Sequence, residues 1–466
     1  MTTLPLIRLL ASLVCAAALG QGHSAFAADL SAPTPGQAPD DAPALGLLQA
    51  YDAALANDPA YRAARHENEA GQEYKVLGRA HLLPVLSANY STHKNRADIT
   101  TASVTGDRTE QRNYTSLAAA VQLRQPLFYP EGIARYRQGM AQTLVSDAQF
   151  SARSQDLIVR LVTLYAGAQY ARDQLEQATA QRQAYAEQRQ SAERMLQNGE
   201  GIRTEVLEAQ AKLDLALAQL IEASDNLVNA NDALAAMVGR KITALDPLSN
   251  DFQVRSMHPA SFEEWKGVAL ASNPEILAQG LAVEIAREEI NKIEAGHTPR
   301  LDLVANAGKN NSDTINTFSQ KTNIASIGLQ LTIPLYAGGS VSAAARQAVS
   351  NHEKAQADLE TRTSQVLVEL RKQYHLTQSS VARISATATA LRSAQLLIEA
   401  TQKSVRGGQR TNLDVLNAQQ QLYEARRDLS QARFNHLLGF LRLRYSAGTL
   451  GLADLKDIAA YFVTSR

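Results

Sequence analysis

The 466-residue sequence repeats itself once, and that repeat sets what the chain can fold into. Asp58-Pro59 returns as Asn273-Pro274 and Pro84 as Pro299, both at an offset of 215 residues. The segment VQLRQPLF at 121–128 returns as LQLTIPLY at 329–336, at an offset of 208. Residues 199–239 match 408–448 at an offset of 209, with 12 identities in 41 positions. These include Gly199/Gly408, Val206/Val415, Leu207/Leu416, Gln210/Gln419, Leu220/Leu429 and Asn226/Asn435. Self-similarity on this scale means one structural unit used twice. The units span 46–245 and 262–450, with a linker at 246–261 and a C-terminal segment at 451–466.

Both units carry the same order of signals. A short helical stretch (46–82; 262–297) is opened in its middle by the Asp/Asn-Pro dipeptide. Two alternating segments follow, 85–96 and 114–123 around a polar loop at 97–113, then 301–310 and 323–333 around a loop at 311–322. In the second segment of the first unit, Leu117, Ala119, Val121 and Leu123 share one face and Ser116, Ala118, Gln122 and Arg124 the other. In its mate, Ala325, Ile327, Leu329 and Leu331 oppose Ser326, Gly328, Gln330 and Thr332. Such alternation suits a half-buried strand, and equally a barrel strand with lipid outside and water inside. Pro126 and Pro334 are expected to end these strands, because proline cannot donate to a ladder.

A long helix is then expected, over 73 residues from Pro126 to Gly199 and 74 from Pro334 to Gly408. At about 1.5 Å per residue each reaches roughly 100 Å. Leu157, Leu161, Leu164, Ala168, Ala171 and Leu175 step alternately by four and three, which is coiled-coil spacing. Leu359, Thr363, Val366 and Leu370, then Ile384, Thr387, Leu391, Ala394 and Ile398, repeat it. Glycine turns (Gly199, Gly201; Gly407, Gly408) reverse each helix into a shorter one, whose seam in the first unit is Leu213, Leu217, Leu220, Ser224 and Leu227.

The N-terminus indicates export. Arg8, the apolar run 9–19 and Ala25-Phe26-Ala27 have the form of a secretory signal peptide over 1–27. The single Cys15 falls inside it, with Ser12 and Val14 where a lipoprotein signal needs Leu and a small residue. The mature chain is then cysteine-free, without disulfides or Cys-based zinc sites. Residues 28–45, with four prolines, read as a disordered lead-in. Lys+Arg and Asp+Glu balance at 46 each, which argues against a nucleic-acid partner. No run in the mature sequence approaches the roughly 20 apolar residues of a membrane helix.

Four strands cannot close a barrel, and an open sheet edge cannot face lipid. Several chains must therefore pool their strands, and the helix seams also call for partners. The duplicated strand–strand–hairpin unit resembles the TolC family of outer-membrane exit ducts. The tip sequence GQRTNLDVLNAQ (408–419), Leu422-Tyr423 and the segment 447–450 carry the likeness. The resemblance implies an α+β membrane protein: a trimeric twelve-stranded barrel, four strands per chain, continued by a long α-helical periplasmic tunnel. It implies a periplasmic adaptor and an inner-membrane pump as partners, and a periplasmic C-terminal segment. The wording of the second tip is nearer to members serving type I secretion of RTX-type toxins, proteases or lipases than to multidrug efflux ducts.

The resemblance also marks residues. Asp414 matches an acidic position of the periplasmic gate, and Asn417 stands where the family has a second acid. Arg410 and Glu205 match charged residues that link neighbouring coils, whereas the aromatic link expected near Val405 is absent. Gly199, Gly201, Gly407 and Gly408 would form adaptor-facing tips. Residue chemistry alone leaves a second reading open, in which these are solvated residues at turns. An enzyme is not expected, nor a cofactor: His66-Glu67 begins a zinc-protease motif, but Ala70 stands where its second histidine belongs. A coiled-coil adhesin is disfavoured by the paired strands inside each repeat.

Overall fold

The computed structural model describes residues 44–463 except 103, 105, 250, 251, 253, 255, 256 and 313–319. The expected signal peptide and most of the lead-in lie outside these residues.

Each unit opens with two helices divided at the Asp/Asn-Pro dipeptide: α1 (Leu47–Asn57) and α2 (Pro59–Ala80), then α5 (Phe262–Ser272) and α6 (Pro274–Glu294). The dipeptide is an N-cap followed by proline at the first helical position. The Asp58 carboxylate accepts from the Tyr61 amide at 3.0 Å, and the Asn273 side chain accepts from the amides of Glu275 and Ile276. Asp58 also receives Arg160 at 2.7 Å.

The strands are β1 (Val85–Thr101), β2 (Arg108–Phe128), β3 (Arg300–Ser312) and β4 (Gln320–Thr332), one antiparallel sheet in the order β1-β2-β3-β4. β1 and β2 run well beyond the alternating segments, whereas β3 and β4 match theirs to within three residues. The ladder continues through Thr100–Thr109, with Asn95–Ser116, Asp98–Gln111 and Thr100–Thr109 side-chain hydrogen bonds. Where a strand leaves lipid, its apolar face is no longer required but its ladder still forms, so hydrophobic alternation understates its length. Pro126 does not end β2. The register shifts between Pro126 and Phe128, a bulge that accommodates the missing N–H, and the strand goes on.

The long helices are α3 (Pro130–Gln197), 68 residues, and α7 (Ser340–Arg406), 67 residues. Each returns through a 36-residue partner, α4 (Arg203–Val238) and α8 (Asn412–Ala447). A start at Pro334 is not realised for α7; Gly338 and Gly339 turn first, both at positive φ. On α3 the expected seam holds: Leu157, Leu161, Ala168 and Ala171 are buried, and Leu164 and Leu175 half-buried. On α4 it is kept only in part, with Leu213 buried and Leu220 and Leu227 half-buried. Leu217 and Ser224 are exposed, whereas Ala209, Leu213, Ala216 and Ala223 are buried, because small residues let the two helices of the hairpin approach closely.

The α2–α3 crossing is closer still. A Cβ on Gly71 would lie 2.0 Å from Ser146 Oγ, and one on Gly139 2.4 Å from the Tyr74 carbonyl oxygen. The main apolar core sits around the middle of α3 and the C-terminal parts of α4 and α8, and joins parts distant in sequence. Leu45 bridges Leu245, Leu248 bridges Phe462, and α9 (Leu452–Ala459) adds Leu455 and Ile458. Leu45 and the linker thus belong to this core. The Tyr165 hydroxyl, fully buried, donates to the Leu45 carbonyl at 2.8 Å and accepts from the Asp246 amide at 3.1 Å.

Candidate functional site

The residues singled out from sequence lie at the two helical turns. Both long helices end in a Schellman motif, in which a left-handed residue lets its own amide and the following one close on the last turn. Gly199 (φ 78°) donates to the Leu196 carbonyl and Glu200 to Met195; Gly408 (φ 73°) donates to Val405 and Gln409 to Ser404. These two glycines supply the positive φ. Gly201 matters for space instead, since a Cβ there would sit 3.1 Å from Met195 Cβ, and Gly407 is the C-cap of α7.

Asp414 is the third residue of α8, and its carboxylate reaches back to the Thr411 amide at 3.0 Å and the Thr411 hydroxyl at 3.1 Å. These bonds, with Arg410 nearby, hold the Asp414 carboxyl below the usual carboxylate range. It is therefore ionised at neutral pH. The T-x-x-D spacing of Thr411 and Asp414 was a readable signal for this cap. Glu205 occupies the equivalent place on α4, where Ile202 replaces the threonine and no such cap forms. Asn417 and Arg410 are exposed, and among the described residues no ion pair joins Arg410 to either carboxylate. The two tips pack together: Leu416 is buried against Ala209 and Leu213, Lys212 Nζ donates to Gln420 at 2.7 Å, and Asn412 Nδ2 contacts Met195 Sδ at 3.6 Å.

At the other end, register assigns every strand residue to a face. Leu86, Leu123, Ala305 and Ile327 stand in one row, and Ala88, Val121, Ala307 and Ala325 in the next. The opposite face carries Ser87, Asn89, Gln122, Asn306, Ser326 and Gln330, small or uncharged polar groups suited to a wet passage. At its helix-proximal end Asp302, fully buried, receives Arg124 at 2.6 Å and Arg300 at 3.0 Å, and Arg300 lies over the Tyr129 ring at 3.9 Å. An aspartate within a leucine-rich strand was the only hint of this clamp in the sequence. Among the described residues no cluster of His, Cys, Asp and Glu could hold a metal, and no helix is long and apolar enough to cross a membrane.

Comparison with known proteins agrees with this geometry. The profile of the outer membrane efflux protein family matches residues 50–240 and 265–449, one match per repeat. The chain is 44% identical to the alkaline protease secretion protein AprF of Pseudomonas aeruginosa, covering 91% of this chain and 89% of AprF. It is 39% identical to the proteases secretion protein PrtF of Dickeya chrysanthemi, over 90% of this chain and 92% of PrtF. The outer membrane protein VceC of Vibrio cholerae has the same fold, with a TM-score of 0.73 at 20% identity over 86% of this chain and 96% of VceC. The fold is thus that of a trimeric twelve-stranded barrel, four strands per chain, continued by a helical tunnel, in the outer membrane of a Gram-negative bacterium. The chain belongs to the outer membrane efflux protein family, the TolC-like channels of tripartite export systems.

Proposed function

We propose that this chain is the exit duct of a type I, ABC-transporter-driven secretion system, passing an unfolded RTX-type polypeptide (toxin, protease or lipase) to the exterior. The observation that carries the reading is the 44% identity with a protein named for alkaline protease secretion, extending over nearly the whole of both chains. The duct is passive and performs no catalysis; a periplasmic adaptor engages the hairpin tips at Gly199, Gly201, Gly407 and Gly408, and an inner-membrane ABC transporter supplies the energy. Three ionised Asp414 side chains meet near the trimer axis, and their mutual repulsion is eased by Arg410. Glu205 contributes on the other tip, and the neutral Asn417 leaves a weaker ring than two acids would. The family's own description favours a second reading, an outer-membrane component of a multidrug efflux pump.

The test compares a strain lacking this chain with its parent. Loss of one or a few large polypeptides from the culture medium, with unchanged dye and detergent sensitivity, is the expected result. An unchanged medium with heightened sensitivity would replace the secretion reading by the efflux one.

A further inference from the structure

The membrane-facing side of the sheet changes character abruptly toward the loop end. Its apolar rows run from Leu301–Leu331 and Leu303–Leu329 through Leu86–Leu123–Ala305–Ile327 to Ala88–Val121–Ala307–Ala325. The next rows are Tyr90–Ala119–Lys309–Asn323 and Thr92–Leu117–Asn311–Lys321, followed by Lys94–Thr115 and Arg96–Asn113. From Leu331 to Asn323 is about 26 Å along the strand, or about 20 Å along the membrane normal at the tilt of a barrel strand. The apolar rows therefore occupy the hydrocarbon, and Tyr90, 68% exposed, takes the interfacial position of an aromatic belt. Lys94, Arg96, Lys309 and Lys321 then fall in the headgroup layer. The helices lie at the other end of the strands, so this is the outer leaflet.

All four cations are exposed, and among the described residues none forms an ion pair. No described acid shares their face before Asp98, which accepts from Gln111 at 2.9 Å. Lys94 and Arg96 stand two residues apart on β1, about 7 Å, and Lys309 and Lys321 are diagonal neighbours on β3 and β4, roughly 8 Å apart. Like charges this close repel, so the arrangement favours an anion between them. Barrel closure tightens it. With the order β1-β2-β3-β4, the free edges are β4 and β1, so the strand that carries Lys321 closes the barrel against the partner's β1, the strand that carries Lys94 and Arg96.

We propose that these four residues form, at each seam between protomers, a docking surface for the phosphate groups of the phosphorylated glycolipid of the outer leaflet. Its acyl chains lie on the apolar rows of Leu86, Val121, Ala305 and Ile327. Lysine and arginine supply charge-assisted hydrogen bonds to phosphate, and the flanking leucine and alanine rows match the chains below. The seam is where the sheet is joined only by subunit association, so a lipid bridging two protomers there also ties the trimer together.

The experiment titrates the purified trimer with doubly phosphorylated lipid A and, in parallel, with the same glycolipid stripped of phosphate, and reads bound lipid by native mass spectrometry. The expected result is saturation at three lipids per trimer, with the dephosphorylated form weaker by about tenfold or more. The variant K94Q/R96Q/K309Q/K321Q should lose that preference, and K94R/K309R/K321R should keep it. Equal binding of the two lipids by the unaltered trimer would overturn the proposal, and so would an undiminished preference in the glutamine variant. If the glutamine variant does not assemble, the two lipids compared on the unaltered and arginine-substituted trimers decide the matter.

Discussion

Replacing Tyr165 with Phe isolates one hydroxyl in the middle of the helical body. Tyr165 is fully buried, its ring meets Phe462 edge-on at 5.1 Å, and burial pushes its phenol well above the ordinary value. Phenylalanine keeps that ring packing. What disappears is the donor to the Leu45 carbonyl and the acceptor for the Asp246 amide. A buried backbone group stripped of its partner costs about 1–3 kcal/mol, so the two together cost roughly 3 kcal/mol. Both bonds tie peripheral segments, the start of α1 and the linker, to α3. The loss should therefore appear as local opening, since the barrel and the hairpins do not depend on it. Hydrogen–deuterium exchange of peptides covering 45–57 and 242–249 should quicken on the order of a hundredfold, while peptides from α7 stay unchanged. Exchange within a factor of about two of the unaltered protein would show that the hydroxyl does not hold these segments.

Asp414→Asn keeps an acceptor for the Thr411 amide and removes the charge, whereas Asp414→Ala removes both. In planar bilayers both should lower cation preference and divalent block, and full selectivity in the asparagine variant would reduce Asp414 to a helix cap. An epitope inserted at Gly106, in the connection between β1 and β2, should be labelled on intact cells; labelling only after permeabilisation would invert the strands. His436 is buried, its Nδ1 lies 2.7 Å from Ser380 Oγ, and burial lowers its pKa from the ordinary 6.5. The unfolded chain then binds the proton more readily, so stability is complete above about pH 6.5 and falls as pH drops below it. Protease resistance of the α7–α8 hairpin should decline from pH 7.5 to 5.5, and a matching decline in His436→Gln would assign the effect elsewhere.

Most of the fold was legible because its signals are local and occur twice. The two Asp/Asn-Pro caps, the period-two strands, the three-four stepping of Leu157 to Ala171 and the turn glycines each act within a few residues of themselves. The residues proposed for the gate were marked only by likeness; what the local chemistry of Asp414 declares is a cap on α8. Strand ends were hidden, since beyond the lipid a ladder such as Thr100–Thr109 needs no apolar pattern.

By itself, then, the amino-acid order determined a duplicated unit of paired strands and long helical hairpins that cannot close alone. Tertiary structure decided the rest. It turned Ala216 and Ala223 inward in place of Leu217 and Ser224, because the seam of a two-helix hairpin is chosen by how closely the backbones approach and not by which residues are most apolar. It also joined Leu45, Leu245 and Phe462 into one core, and set Asp302 between Arg124 and Arg300. Contacts such as Leu45–Leu245 and Arg124–Asp302 link residues more than 100 positions apart, whose meeting depends on the packing of the whole chain and leaves no periodic trace along it.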